Sequence, residues 1–223
     1  MAQAATRVKD PAAPRIQVTL RPAEMPDHDL EDDATIKGKR YSGVSLAGRS
    51  AEAVDIEQCE FDGVRFTGMN LVRSVLAHNK FNTCDFASVR TQDVSLIRTT
   101  VTGCRLTGST WSNGSFRDVT FEGTRTENAL FRYAKFRTVL FRECNLSGAD
   151  FQFAEFRDVR FEKCDLTGAQ VANLVVQPGV SFDGCTLLDV GGATYLKGAT
   201  VRGPGGMELA LSLAREAGIK FED

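Results

Sequence analysis

From Ile36 to Val176 a large apolar side chain is called for at every fifth residue, 29 positions without an insertion, and 26 of them hold one. The exceptions are Ala51, Thr91 and Thr126. A period of five fits neither the 3.6 of a helix nor the two of a strand. A second position, two before each of these centres, is selective too. From Val54 onward it holds mostly Val, Cys or Ala, with Ser74, Asn79 and Ser109 as small or polar exceptions. Two after the centre, glycine is frequent, as at Gly63, Gly103 and Gly148. A chain that turns at every fifth residue accounts for all three preferences. One large and one small side chain point in, the others point out, and glycine or a small polar residue rounds the corner. Four such sides close a square coil of about twenty residues, paired with the coils above and below at roughly 4.8 Å.

Every twentieth residue supports four sides. Phe61, Phe81, Val101, Phe121, Phe141 and Phe161 form one column. Phe116, Phe136 and Phe156 belong to a second, Phe131 and Phe151 to a third, and Phe66, Phe86, Leu106, Leu146 and Leu166 to the fourth. Of the fifteen phenylalanines, thirteen fall on centres once a one-residue shift near Gln177–Ser181 is allowed for Phe182. Rings one coil apart can stack in offset geometry. The segments CDFAS, CNLSG, ADFQF, AEFRD and CDLTG follow the pattern A(D/N)Lxx, and on them the chain resembles the pentapeptide-repeat family over about residues 36–201. The resemblance implies an all-β fold, a right-handed quadrilateral β-helix. At about 4.8 Å per step, roughly eight coils make a rod on the order of 40 Å long.

Three regions follow: residues 1–35 as a tail, 36–201 as the β-helix, and 202–223 as a helical end. The tail carries Pro11, Pro14, Pro22 and Pro26 and the acidic run DHDLEDD, and reads as partly disordered or capping. Ile16 to Leu20 offers at most one strand. Beyond Val201, GPGG is followed by MELALSLAREAG, a short α-helix stopped by Gly218. Leu209 and Leu213 lie four apart, one helical face that either caps the last coil or, as in members of the resembled family whose terminal modules pair rods end to end, makes a dimer contact.

The chemistry is sparse. All six cysteines, Cys59, Cys84, Cys104, Cys144, Cys164 and Cys185, occupy the small inward position. Ladder neighbours stand about 4.8 Å apart, wider than the roughly 3.8 Å between the Cβ atoms of a disulfide. With no CxxC and no histidine partner they read as reduced thiols filling space. His28 lies in the tail and His78 at an outward corner, neither near a nucleophile or ligand set. No phosphate-binding, dinucleotide, nucleophile-elbow or zincin motif occurs. The reading is a non-enzyme with no catalytic, cofactor-binding or metal residues. Trp111, an oversized inward residue, is expected to be accommodated beside Thr91.

Charge decides between functions. The 223-residue chain carries a net −2, and residues 36–201 hold 20 Lys/Arg against 18 Asp/Glu, a net +2. Some members of the resembled family imitate B-DNA in shape and acidity, bind DNA gyrase and protect it from quinolones. Duplex DNA carries one charge per about 1.7 Å of axis, and no column here is strongly acidic. Instead Arg117, Arg132, Lys135, Arg137 and Arg157 gather on two adjacent sides. Nor does the unbroken phase leave room for the projecting loops of one quinolone-resistance subgroup. Tyr133 and Phe153 sit at one corner a coil apart and are expected to stack outside the rod, while Leu130, Leu140, Val72, Val75, Ile97 and Val175 also occupy outward positions. A partner-binding patch built on Tyr133, Phe153 and the nearby cations is the sharpest site. The expected protein is a cytoplasmic interaction module with a protein partner, a topoisomerase by resemblance or a biosynthetic or signalling enzyme by the scaffold alternative. Neither direct nucleic-acid binding nor membrane insertion is expected.

Overall fold

A computed structural model describes residues 9–16 and 19–220. The strand suggested for Ile16 to Leu20 includes residues 17 and 18, which lie outside the described residues.

The chain is a parallel β-solenoid of about nine turns. Pairing steps by twenty residues: Phe61 registers with Phe81, Phe116 with Phe136, Phe136 with Phe156, and Leu71 with Thr91. After Val176 the step becomes 21, as Phe161 registers with Phe182, so the extra residue near Gln177–Ser181 is absorbed without loss of pairing. We call the sides first to fourth, by the columns through Phe136, Phe141, Leu146 and Phe151.

The centres fill the axis. Tyr41, Phe61 and Phe81 stack at ring-centroid distances of 4.6 and 4.7 Å. Phe121, Phe141, Phe161 and Phe182 continue the column at 4.8, 5.0 and 4.7 Å. Rings of adjacent columns meet edge-on, as Phe131 and Phe136 do at 71°, so both favourable aromatic geometries are used. Trp111 is buried, and its indole N–H donates to Ser109 Oγ at 2.9 Å, while that hydroxyl donates to the carbonyl of Leu106 at 2.6 Å. The exception Ser109 therefore exists to partner the indole. The void beside Trp111 measures about 10 Å³, room for no more than one water.

The small inward position does more than fill space. Asn79 Oδ1 accepts the amide of Cys59 at 2.9 Å, and Asn79 Nδ2 donates to the carbonyl of Ile56 at 2.9 Å. Ser74 Oγ accepts the amide of Val54 at 3.0 Å. Cys104 Sγ accepts the amide of Cys84 at 3.2 Å and lies 3.5 Å from the carbonyl of Phe81. The six cysteines are free and buried, and burial pushes the Cys59 thiol up from its usual range. Small polar groups and thiols thus serve backbone atoms that turn inward at the corners.

Residues 20–34 add a turn that carries no five-residue period. Leu20 and Leu30 are buried, Arg21–Pro22 pairs with Lys39–Arg40, and the Tyr41 hydroxyl donates to the carbonyl of His28 at 2.7 Å. At the other end the helix α1 (Gly205–Glu216) closes the last coil. Glu208 Oε2 accepts the amide of Leu187 at 2.7 Å, and Glu216 Oε1 accepts that of Ala193 at 2.7 Å. These carboxylates replace the carbonyls that a further coil would supply. Leu209 and Leu213 do not share an environment. The buried face is Gly205, Leu209 and Ser212, and Leu213 is 37% exposed. A helix turns about 100° per residue, so a step of seven returns more nearly to the same face than a step of four.

Candidate functional site

The corner after each inward centre holds φ near +55°, a left-handed turn that glycine, asparagine and aspartate adopt at least cost. On the edge between the fourth and first sides the corner column reads Asp93, Asn113, Tyr133, Phe153, Asn173. Tyr133 and Phe153 have φ of 60° and 61°, and their rings stack outside the rod at 5.0 Å and 12°. They are 53% and 43% exposed. Leu130 and Val175 are exposed on the sides that flank this edge. Two aromatic residues at corners where the coil imposes a left-handed conformation, costly for any residue but glycine, asparagine or aspartate, form the most conspicuous apolar feature of the rod's walls.

The cations selected by the sequence fall into two groups. Arg132 and Lys135 border the aromatic pair. Arg132 Nε is 2.6 Å from Oδ2 of Asp150, a buried carboxylate, and Lys135 is 3.6 Å from Glu155. Asp150 thus pins Arg132 against the fourth side, a tie that a scan of outward charges does not reveal. Arg117, Arg137 and Arg157 stack in register along the far half of the first side. Arg157 Nε lies 3.9 Å from Asp158, whereas Arg117 and Arg137 make no ion pair among the described residues. Like charges repeated at about 4.8 Å repel one another, so this column favours an anionic counterpart.

Elsewhere the surface neutralises itself. Of the eighteen carboxylates in residues 36–201, twelve sit within ion-pair distance of a lysine or arginine, mostly one coil away. Examples are Glu60 between Arg40 and Lys80 and Arg142 between Glu122 and Glu162. Among the described residues, no continuous file of unpaired carboxylates of the kind a DNA imitation requires runs along the rod.

One expected outward residue is covered. Leu140 points outward from the second side, yet it is 4% exposed. The described N-terminal residues run past that edge: Asp10 pairs with Arg160, and the amide of Ala12 donates to Asp118 Oδ1 at 3.1 Å. No sequence periodicity links residues so far apart. Among the described residues no group of three or more His, Cys, Asp and Glu is placed to hold a metal ion, and no helix is long and apolar enough to cross a membrane.

Residues 94–171 match the family model described as a pentapeptide repeat region. Among curated proteins no match was found. Solved structures similar to this chain include HetL, a pentapeptide repeat protein involved in heterocyst differentiation regulation from the cyanobacterium Nostoc sp. strain PCC 7120, at 16% identity and a TM-score of 0.35. That alignment covers 75% of this chain and 89% of the other. Full-length QnrB1, a plasmid-mediated fluoroquinolone resistance protein, aligns at 17% identity and a TM-score of 0.35 over 83% of this chain and 99% of its own. A pentapeptide repeat protein of the Arabidopsis thaliana thylakoid lumen aligns at 20% identity and a TM-score of 0.29 over 76% and 89%.

Proposed function

We propose that this chain, a member of the pentapeptide-repeat family, is a non-catalytic docking rod that binds a protein partner through the edge carrying Tyr133 and Phe153. The observation behind this reading is the exposed aromatic stack at positions where the coil prefers glycine or asparagine. Rigid aromatics ringed by arginine and lysine are typical interface anchors. The adjacent file of Arg117, Arg137 and Arg157 suits a partner with an acidic border. Topoisomerase binding and protection from a topoisomerase poison is the narrower form of the same reading, and it rests on family resemblance. The self-neutralised walls argue that any such binding works by shape and aromatic contact rather than by imitation of DNA charge.

Substituting Tyr133→Asn and Phe153→Asn together removes the anchors and relieves two left-handed turns. The double variant is expected to match or exceed the parent in melting temperature and to bind its partner at least tenfold more weakly. Pull-down from the native host with both versions names the partner and tests the edge at once. Equal capture by the two would refute it. A gyrase supercoiling assay with and without a quinolone separates the topoisomerase form from the scaffold form.

The outer surface of α1 supplies a second contact in the same reading. Met207 and Leu211 are exposed on it and Leu213 is exposed beside the buried face, with Ile219 just beyond. Self-association there predicts that Leu211→Glu with Leu213→Glu halves the mass seen in sedimentation equilibrium while the circular dichroism spectrum is retained. A wild-type chain that sediments as a monomer at tens of micromolar contradicts it.

A further inference from the structure

We propose that the edge between the first and second sides is a docking groove for an extended peptide, and that residues 9–16 occupy it in cis as a releasable strap. Among the described residues, three latches hold the strap. Asp10 pairs with Arg160, the Ala12 amide donates to Asp118 Oδ1 at 3.1 Å, and the Arg15 amide donates to His78 Nδ1 at 3.0 Å. Asp118 and His78 are corner residues two coils apart, about 10 Å along the axis. The three residues from Ala12 to Arg15 span about 10 Å when extended. Chain and groove therefore share one repeat. Pro11, Ala12, Pro14 and Ile16 are half-buried, whereas Lys9, Asp10, Ala13 and Arg15 are exposed. Leu140 is buried at the level where the strap passes from Arg160 to Asp118.

The groove side of each latch is a side chain and, at two of the three, the strap side is only a backbone amide. Such acceptors take any extended segment that presents amides at the same interval, and two prolines hold the strap near that conformation at little entropic cost. The next corner down the same column is Gln58, whose buried Oε1 has no hydrogen-bond partner among the described residues, one more acceptor on the line. The strap itself is weakly held. Among the described residues it has no ladder of backbone bonds, and its ion pair is solvent-exposed on the Asp10 side. A trans segment of the same chemistry, an acid followed by Pro and by free amides two and five residues on, competes for the site.

The His78 latch is sensitive to pH. To accept the Arg15 amide, Nδ1 must carry its lone pair, so the ring is neutral with its proton on Nε2. The groups facing the ring are Arg15 on the strap, Arg98 on the coil above, and Glu57 and Lys37 on the coils below. Burial, and then Arg98, hold the imidazole below its ordinary value, while Glu57 acts the other way. The latch is therefore complete above the ordinary histidine range and is lost as pH falls through the lowered value.

The test uses the full chain and a fluorescein-labelled peptide, KDPAAPRI, which copies residues 9–16. Asp10→Lys with Ala12→Pro releases the strap and leaves Arg160, Asp118 and His78 in place. The peptide should bind this variant at least tenfold more tightly than the wild-type chain. In the wild type, the Ala12 and Arg15 amides should exchange at least tenfold more slowly at neutral pH than in the free peptide. The protection of the Arg15 amide should fall on acidification through the histidine range and lose that dependence in His78→Gln, whose amide oxygen still accepts. Equal peptide binding by both chains, or none by either, overturns the groove. Exchange of both amides at free-peptide rates overturns the strap.

Discussion

Phe141→Ala is expected to cost about 3–5 kcal/mol of stability, the range for removing a fully enclosed aromatic ring. Phe141 is 0% exposed and lies between Phe121 and Phe161, 4.8 and 5.0 Å from them, with Phe136 and Phe151 against its edges. Phe121, Phe136 and Phe161 belong to paired strands and Phe151 follows a bridge residue whose backbone also pairs between coils, so the coil cannot collapse around the cavity without breaking inter-coil hydrogen bonds. Because each coil touches only its neighbours, the damage should concentrate between residues 116 and 166 and split the denaturant transition into two. Guanidinium unfolding followed by circular dichroism, with hydrogen exchange resolved along the chain, reads both effects. A loss below about 1 kcal/mol would mean that the rings fill the axis loosely.

Gly192→Val is the second large effect, and it acts at one end. Gly192 has φ of 78°, and a Cβ built there would lie 2.5 Å from the backbone nitrogen and 2.7 Å from the Cα of Ala172. A β-branched residue resists this left-handed conformation, and here the obstacle is backbone that cannot swing aside. A loss of about 3 kcal/mol is expected. The following residues, Ala193 and Thr194, donate their amides to Glu216 of α1, so displacing the turn should also unseat the helix. Accelerated exchange confined to the Ala193 and Thr194 amides and to α1 would show this. An unchanged exchange map would mean the last coil shifts as a rigid body.

The interior of this molecule was legible because it is periodic. Once the centres were known, twenty-residue addition placed Phe116 on Phe136 and Tyr133 on Phe153, and the structure has both pairs stacked at 4.6 and 5.0 Å. The ends and the strap were not legible, because they depend on contacts that no period encodes. Leu20 and Leu30 are buried with irregular spacing, and Asp10 meets Arg160 across 150 residues. Leu140 looked outward in the sequence because its direction from the coil is outward. It is nevertheless buried, at the level where residues 10–12, whose composition suggests only a loose tail, bond to Arg160 and Asp118. Leu209 and Leu213 differ in burial for another reason. A spacing of four names a helical face without saying how the helix is turned, and the turn is fixed by Gly205, whose Cβ, if present, would lie 2.2 Å from the carbonyl oxygen of Cys185. Among the thiols, position was readable and role was not, since Cys, Ser, Thr and Asn are interchangeable as small inward residues until their backbone partners are seen.

The alternation of charge between coils bears on how the chain finds its register during folding. Inside the rod every coil looks much alike, so a chain that skipped one coil while winding would still bury phenylalanine on phenylalanine. The walls would record the error. Arg40 would face Lys80 in place of Glu60, and Glu122 would face Glu162 in place of Arg142. Arg65 would meet Arg105, with Asp85 looped out. Each correct contact is a surface ion pair of modest value, yet the skip of any one of these coils exchanges its attraction for a repulsion at that point. The pairs that deprive this rod of a DNA-like face therefore act as a counting device, marking successive turns that the core cannot tell apart.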